Sequence, residues 1–210
     1  MEKKGIIVVV SGFSGAGKGT LMKELVKQYP NYALSISATT REPREGEVEG
    51  REYFFKTVEE FEQMIDENQL IEHARYVGNY YGTPREYVEK QLSEGKDVIL
   101  EIEIQGALKI KEKYPDALLL FVMTPDAKTL KERLTNRGTE SAEKIASRLN
   151  RATEEAEGVE QYEYVVVNDD LKACVELTNQ LIQSAHYRAD RNLAFIEKMR
   201  EELRGFKKGE

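Results

Sequence analysis

The chain of 210 residues has one cysteine, two histidines and no long apolar run. Cys174 alone cannot form a disulfide within the chain, which fits a reducing compartment. Its apolar setting favours a small buried residue over the alternative of a reactive thiol. The longest apolar run, Ala117–Met123, has seven residues, whereas a helix needs about 20 to span a bilayer. No metal or nucleophile pattern surrounds His73 or His186, so both are interpreted as packing or surface residues.

An excess of negative charge and the lack of an export pattern limit the partners. The formal net charge is −7 at pH 7, so a polymer of phosphates would be repelled overall and no nucleic acid is expected. Glu2–Lys4 precede only a short apolar strand, which is not a signal peptide, so we expect a cytoplasmic chain that binds no membrane. Basic residues nevertheless cluster in segments 41–51 and 131–151, and two local basic sites suit small phosphorylated ligands.

Apolar runs alternate with helical patterns along most of the chain, which predicts a parallel sheet covered by helices. Segment 39–81 breaks this rhythm, because it is rich in charge, glycine and tyrosine. Its short alternating runs predict a small antiparallel sheet with one helix. We therefore expect an α/β fold with a P-loop core formed by 1–38, 82–124 and 158–210. A mixed α+β insertion would occupy 39–81, and an arginine-rich helical lid would occupy 125–157.

Local signals place the elements on this plan. Thr57 opens a capping-box pattern, and Thr83 and Thr124 each precede a proline, so we predict a capping hydroxyl at three helix starts. The predicted core strands are Ile6–Val10, Ala33–Ser37, Asp97–Glu101, Ala117–Met123 and Tyr164–Val167. The predicted helices, besides the one after Thr57, are Gly19–Gln28, Pro84–Glu94, Ala107–Lys113, Pro125–Asn136, Ser141–Glu155 and Leu171–Arg200.

Residues 12–20, Gly-Phe-Ser-Gly-Ala-Gly-Lys-Gly-Thr, directly follow the predicted strand Ile6–Val10. A buried strand, a glycine-rich loop with a lysine and then a helical pattern is the context of a phosphate-binding P-loop. The glycines let several backbone amides point into one concavity, and the helix adds its positive end. Lys18 would reach the β- and γ-phosphates, so the sequence predicts a nucleoside triphosphate site. The alternative is a strand-to-helix turn with an exposed lysine.

Gly19 occupies the position after the lysine where Ser or Thr is usual, and Thr20 follows it. Nucleotide kinases of the adenylate kinase type end their loop with the same Gly-Lys-Gly-Thr. We expect Mg²⁺ as the cofactor that accompanies the triphosphate, with Thr20 contacting it directly or through water. Glu101, which ends a predicted strand, is a second candidate for orienting Mg²⁺ through water.

A dense polar stretch, 35–47, begins where a predicted strand ends. Arg41 and Arg44 can fork around one phosphate, since guanidinium groups match phosphate geometry. A carboxylate such as Glu72 only accepts hydrogen bonds, and guanine offers two adjacent donors, so a buried Glu is a natural reader of guanine. The alternatives for single residues are a surface strand position at Glu72, a packed hairpin corner at Tyr80 and Tyr81, and a solvated helix face at Arg133 and Arg137.

Further motifs follow these two in a fixed order. They are the stretches Tyr53–Phe55, Gly78–Thr83, Glu101–Gly106, Arg137–Glu140 and Val167–Asp170. The whole set resembles the guanylate kinase family, from Ile6 to about Arg188. This resemblance implies a P-loop kinase that transfers the γ-phosphoryl group of ATP to GMP, giving GDP and ADP, with ATP and GMP as its small-molecule partners.

The resemblance also implies roles for single positions of this chain. For ATP binding they are Gly12, Phe13, Ser14, Gly15, Ala16, Gly17, Lys18, Gly19, Thr20 and Asn168. For GMP binding they are Ser37, Arg41, Arg44, Glu47, Tyr53, Glu72, Tyr81, Thr83 and Glu103, with Ser37, Glu72 and Thr83 on guanine. For catalysis they are Lys18, Arg133, Arg137 and Arg148. His73 departs from members that have Trp there, and Thr83 from members that have Ser.

No catalytic base is evident, and the chemistry needs none. The attacking oxygen of the GMP phosphate is already largely ionised at neutral pH, because its second pKa is about 6. Catalysis then consists of holding two phosphates in line and neutralising the charge between them. Two alternatives remain: a P-loop kinase for another phosphorylated acceptor, and a guanylate-kinase-like module that binds phosphorylated protein segments. Such modules typically have a degraded P-loop, whereas the glycines and Lys18 are intact here.

Overall fold

The computed structural model describes residues 4–76, 78–136 and 141–207. Its strands are β1 (Ile7–Gly12), β2 (Tyr32–Leu34), β3 (Ser37–Thr39), β4 (Tyr53–Phe55), β5 (Leu70–Tyr76), β6 (Asn79–Pro84), β7 (Asp97–Glu101), β8 (Leu118–Met123) and β9 (Tyr164–Val167). Its α-helices are α1 (Lys18–Gln28), α2 (Val58–Asp66), α3 (Arg85–Ser93), α4 (Ile104–Lys113), α5 (Ala127–Thr135), α6 (Ala142–Ala156), α7 (Leu171–Ala185) and α8 (Leu193–Lys207). None of the described helices is long and apolar enough to cross a membrane.

The main sheet is parallel throughout and has the strand order β2-β7-β1-β8-β9. Because β1 lies in its centre, successive residues of β1 point into two buried faces. Val8 and Val10 pack on one face with Leu25 of α1. Ile7 and Val9 pack on the other face. The predicted α/β fold, a parallel sheet flanked by helices, is confirmed.

A second sheet has the strand order β4-β3-β6-β5. Its β3–β6 and β5–β6 pairs are antiparallel, but β3 and β4 are parallel, so the predicted antiparallel sheet is wrong in that pairing. The reason is that the chain makes a long excursion between β3 and β4 instead of a hairpin. Phe61 of α2 packs with Ala38 and Leu70 to give this sheet a small core of its own.

The predicted strand Ala33–Ser37 is wrong, because two different sheets share it. Leu34 pairs with Ile99 in the main sheet, whereas Ser37 pairs with Tyr53 in the second sheet. The chain therefore leaves one sheet and enters the other within three residues, and this crossing positions the second sheet beside the carboxyl end of β7.

One of the three predicted helix caps forms in the structure, and two do not. Thr57 forms the complete capping box with Glu60, as predicted. The predicted caps at Thr83 and Thr124 are wrong. The Thr83 hydroxyl donates to Glu72 instead, and the Thr124 hydroxyl donates to the carbonyl oxygen of Asp126, which is itself the N-cap of α5.

The predicted helix Leu171–Arg200 is also wrong, because α7 ends at Ala185 and α8 begins at Leu193. His186, just after α7, places Nε2 2.9 Å from a carboxylate oxygen of buried Asp97. Asn192 donates to the carbonyl oxygens of His186 and Arg188. The last carbonyl oxygens of α7 accept from the following backbone, because the amides of His186, Tyr187 and Arg188 donate to Gln183, Ser184 and Ala185, so the chain turns before α8 starts.

Candidate active site

The loop between β1 and α1 presents backbone amides at the carboxyl end of the main sheet. Gly15 and Gly17 adopt φ values of 99° and 91°, which side chains disfavour. Gly12 lies so close to β8 that a Cβ there would be 2.0 Å from the carbonyl oxygen of Val122. Gly17 is the N-cap of α1, and no side chain caps this helix start. The first amides of α1 are therefore arranged to bind an anion.

Lys18 adds a full positive charge to this loop. Its Nζ donates to the carbonyl oxygens of Gly12 at 2.7 Å and Phe13 at 3.2 Å, so the ammonium group lies over the loop and not in bulk solvent. A polar cleft opens beside it. The residues that line this cleft are Ser14, Gly15, Gly17, Lys18, Gly19, Thr20, Lys23 and Glu101.

Thr20 and Glu101 supply oxygen atoms to the cleft. Desolvation raises the pKa of Glu101, and the charges of Lys18 and Lys23 oppose that rise. In the part of the chain that the structure describes, no group of three or more His, Cys, Asp or Glu side chains could hold a metal ion. A hydroxyl and a carboxylate nevertheless fit Mg²⁺, which usually takes one or two protein oxygens and completes its shell with phosphate and water.

The hairpin of α5 and α6 covers the loop from the side. Leu130 and Leu134 of α5 pack with Ala152 of α6 and with Phe13. From this base Arg133 donates to the carbonyl oxygen of Ala16 at 3.3 Å, and Arg148 donates to the Ser14 hydroxyl at 2.8 Å. Two of the three predicted lid arginines therefore contact the P-loop, and Arg137 lies outside the described residues.

Asn168, which follows β9, contacts the backbone of the same loop. It is buried, and its Nδ2 donates to the carbonyl oxygen of Ala16 at 2.8 Å. A Cβ on Gly17 would be 2.5 Å from that nitrogen, so the close contact requires glycine. With Asp169 and Leu171, Asn168 also lines a cleft of about 440 Å³ beside α1.

Glu72 is a buried carboxylate in the second sheet. It lies on β5 opposite Thr83 on β6, has an exposure of 6%, and accepts a hydrogen bond from the Thr83 hydroxyl at 2.7 Å. Burial raises the pKa of Glu72, while Thr83 and the charge of Lys109 oppose that rise. A Cβ on Gly106 would be 2.9 Å from its second oxygen. The start of α4 therefore closes one side of this acceptor.

Arg41, Glu47, Tyr53 and Tyr81 form a cluster on the same sheet. Arg41 pairs with Glu47 at 2.9 Å, and its guanidinium lies 5.2 Å from the centre of the Tyr53 ring. The hydrogen bond that Arg41 donates to Glu47 raises the pKa of Arg41, which stays charged. Burial raises the pKa of Tyr53, and Tyr81 and Glu101 add to that rise. Glu101 also lines the P-loop cleft, so this cluster and the cleft have one neighbouring carboxylate in common.

Two predicted residues lie at the margin of this cluster. Arg44 is exposed, and its backbone amide donates to Glu47 at 2.7 Å. Ser37 begins β3 and is half-buried. Glu47 thus accepts from both predicted arginines, once from a guanidinium and once from a backbone amide, and it fixes the stretch between them.

Glu103 connects the α5–α6 hairpin to the start of α4. It occupies the N-cap position of α4 but does not cap that helix with its side chain. Its carboxylate accepts from Arg151 of α6, whose Nε donates to Glu155 at 3.0 Å. Burial raises the pKa of Glu103, Arg151 opposes that rise and Glu155 adds to it. The sequence placed Arg151 only in a basic cluster, because a contact across 48 positions leaves no local signal.

Comparison with known proteins decides how this arrangement is classified. The profile of a family described as guanylate kinase matches residues 4–185. The chain belongs to the guanylate kinase family. It is 50% identical to the guanylate kinase of Lactococcus lactis, with 91% of this chain and 93% of that protein covered. It is also 50% identical to the guanylate kinase of Caldanaerobacter subterraneus, with 96% and 98% covered.

A solved structure of a guanylate kinase agrees in fold. The crystal structure from Anaplasma phagocytophilum superposes with a TM-score of 0.75 at 31% identity and covers 91% of each chain. The guanylate kinase profile includes both sheets and the α5–α6 hairpin, and it stops at Ala185, the last residue of α7. The resemblance predicted from the motifs is confirmed, whereas α8 lies beyond the matched residues.

Lys23 and Lys109 are two further charged side chains near the site that the sequence did not single out. Lys23 lines the P-loop cleft five positions after Lys18, a spacing that does not match helical neighbours three or four positions apart and so gave no signal. Lys109 donates to the carbonyl oxygen of His73 at 2.9 Å. That contact joins α4 to β5 and depends on how the two sheets pack, so no local pattern could indicate it.

Proposed function

We propose that this chain transfers the γ-phosphoryl group of ATP to GMP, giving GDP and ADP, with Mg²⁺. The observation that carries the choice of GMP is the buried Glu72 with its Thr83 partner in the second sheet. Guanine presents N1–H and an amine side by side, whereas adenine presents an acceptor at N1, so a buried carboxylate selects guanine. The named relatives at 50% identity support the same reaction.

Both substrates are anions, and the described cations are arranged around the place where they would meet. The amides of the P-loop and Lys18 would hold the triphosphate, and Arg133 and Arg148 would approach it from the lid. Arg41, with Arg44, Tyr53 and Tyr81, would hold the phosphate of GMP, while Ser37, Glu72, Thr83 and Glu103 would hold the base. Asn168 would lie near the adenine side of ATP. The role of Arg137 stays a prediction for a residue outside the described ranges.

The proposed chemistry is in-line transfer without a general base. The GMP phosphate is the nucleophile and is already ionised at neutral pH, so the protein must orient it and neutralise charge. Lys18 donates to the transferred group, and the arginines shield the two substrates from each other. Thr20 and Glu101 would hold Mg²⁺, directly or through water. When bound, Mg²⁺ neutralises charge on the β- and γ-phosphate oxygens.

Three functional units follow from this proposal. Segments 1–38, 82–124 and 158–210 would form the core, 39–81 the GMP-binding insertion, and 125–157 the lid. The second sheet extends the insertion to Ser37 and Pro84, which supports it as a separate unit with a core of its own. We also propose a cytoplasmic location, where both nucleotides are found.

The experiment that tests this function is a substrate panel. ADP production from MgATP is measured with GMP, AMP, CMP and UMP offered separately. Turnover with GMP and none with the other three supports the proposal. Turnover with AMP or a pyrimidine nucleotide instead would overturn the role of Glu72. No turnover with any of the four, together with measurable MgATP binding, would favour another phosphorylated acceptor or a module that binds phosphorylated protein.

A further inference from the structure

Strand β5, which carries Glu72, lies at one edge of the second sheet. Among the strands that the structure describes, β5 pairs with β6 alone. An edge strand leaves a row of backbone carbonyl oxygens without a partner strand, and helix α4 contacts β5. The orientation of Glu72 therefore depends on how the open edge of β5 is held, as well as on the hydrogen bond from Thr83.

Two lysines on one side of α4 bind this open edge. Lys109 and Lys113 are four positions apart, so they lie on the same side of the helix. Lys109 Nζ donates to the carbonyl oxygen of His73 at 2.9 Å, and Lys113 Nζ donates to the carbonyl oxygen of Ile71 at 3.2 Å. The two accepting residues flank Glu72 in the chain. The lysines therefore hold the backbone of β5 immediately before and after the buried carboxylate.

The same side of α4 also approaches the carboxylate itself. Gly106 precedes Lys109 by three positions, and a Cβ on Gly106 would be 2.9 Å from an oxygen of Glu72. Burial raises the pKa of Glu72, and the charge of Lys109 opposes that rise. Only the ionised carboxylate can accept from both donors of guanine, because protonation turns one of its oxygens into a donor. Lys109 thus favours the form of Glu72 that guanine needs.

We propose that Lys109 and Lys113 are positioning residues for recognition of the guanine base. They fix the backbone on either side of Glu72 against α4, and the ammonium group of Lys109 places a positive charge near the carboxylate. This inference rests on the proposed function, because it deepens the role of Glu72 as the residue that binds guanine. Neither lysine is among the residues that line the P-loop cleft, so we expect their effect to be confined to GMP.

The other titratable groups around this edge separate the roles of the two lysines. His73 is adjacent to Glu72, and its pKa is lowered by desolvation and by the charges of Lys109 and Lys113. The residue of β6 opposite Glu72 is an uncharged threonine, and Glu103 at the start of α4 pairs with an arginine of α6. Among the described residues, Lys109 is the cation whose charge acts on Glu72. Both lysines would hold the strand, whereas only Lys109 would also favour ionisation of Glu72.

The first test is steady-state kinetics of Lys109→Met, which keeps the length of the side chain and removes its charge and its donor. The KM for GMP should rise by about 2- to 10-fold, the effect of one lost hydrogen bond. The KM for ATP and kcat at saturating GMP should not change. Lys109→Arg retains the charge and the donor and should keep the wild-type KM. Lys90→Met, at an exposed position of α3, is the control and should have no effect.

The second measurement is the pH dependence of kcat/KM for GMP, which reports the pKa values of the free enzyme and free substrate. Because Lys109 lowers the pKa of Glu72, Lys109→Met should move the acid limb of this profile to higher pH. The GMP phosphate titrates identically with every variant, so it does not contribute to the shift. Lys113→Met should raise the KM for GMP but leave the limb in place. The shift should persist in a His73→Gln background, which excludes titration of that ring.

Each outcome decides between the two proposals. A wild type that uses GMP, together with an unchanged KM and acid limb in Lys109→Met, would overturn this inference and leave the proposed function standing. Equal rises in KM for GMP and ATP would assign the lysines to the fold and would also overturn it. A wild type without GMP turnover would overturn both proposals. Circular dichroism checks that each variant is folded, and Lys109→Ala takes the place of Lys109→Met if the latter unfolds.

Discussion

Replacing Glu72 with Gln should separate what the buried carboxylate does for the ligand from what it does for the fold. The substitution keeps the shape of the side chain and turns one acceptor oxygen into a donor amide. Against the two donors of guanine, this loses a hydrogen bond to a charged group, which contributes about 1.5–3 kcal/mol. At 1.4 kcal/mol per factor of ten, the KM for GMP should rise about 10- to 150-fold. The KM for ATP should change little.

The same substitution should make the free protein more stable at neutral pH. Burial raises the pKa of Glu72 in the folded state above its ordinary value of 4.5, so the native state binds the proton more tightly than the unfolded chain does. Stability from this group is therefore present below pH 4.5 and is lost as pH rises through the folded pKa. Gln carries no charge to bury. The melting temperature of the Glu72→Gln variant should exceed that of the wild type at pH 7, and this gain should vanish as the pH falls below about 4.5.

The assays are steady-state kinetics with each substrate varied and thermal unfolding of the ligand-free protein over a pH series. Glu86→Gln, which makes the same change at an exposed position of α3, serves as the control. It should alter neither the KM values nor the melting temperature. Equal rises in KM for GMP and ATP would refute the reading of Glu72 as a base-recognition residue. A lower melting temperature at pH 7 would refute the claim that its charge is buried at a cost.

Lys18→Ala should lower turnover by about 10²–10³-fold or more while the circular dichroism spectrum is retained; near-normal turnover would remove the P-loop assignment. Gly17→Ala should destabilise the fold and abolish ATP binding, because φ is +91° and the new Cβ would be 2.5 Å from Asn168. Gly46→Ala is the control for Gly17→Ala, because its φ is +83° and no atom lies within 4 Å of the new Cβ. Only the backbone cost of about 1–2 kcal/mol is therefore expected for the control. An equal loss of stability in both variants would contradict the packing argument. Cys174 is buried, and burial raises its pKa to about 11, so a thiol reagent should label it at pH 7.5 only after unfolding; rapid labelling of the native protein would contradict this.

Much of the fold could be predicted from the sequence because its signals are local. The apolar run before the P-loop and the capping box at Thr57 each involve residues within four positions, and the structure has both of them. One of the errors arises where a distant partner competes. Thr83 could cap its helix, but its hydroxyl donates to Glu72, 11 positions away, because a buried carboxylate needs that hydrogen bond more than an exposed helix start does.

The residues of the candidate site also divide into those that a local pattern predicts and those that depend on distant contacts. The glycines and Lys18 of the P-loop are adjacent in sequence, so a single pattern predicted them, and resemblance to a family supplied Glu72, Glu103 and the lid arginines. What no pattern predicted is how these residues are held. Arg151 reaches Glu103 from another helix, Lys109 reaches the backbone of β5, and Asn168 supports Ala16 across 152 positions. Such contacts exist only once the helices pack on the sheets.

The central position of β1 also determines how the molecule opens. Val8, Val9 and Val10 are fully buried and pair with strands on both sides, so amide hydrogens of β1 should exchange with solvent only through global unfolding. The second sheet depends on a core of three buried side chains and should exchange through smaller, more frequent openings. The P-loop is therefore attached to the slowest-exchanging strand, while the residues proposed to recognise the base belong to a unit that can open and close without disturbing that strand.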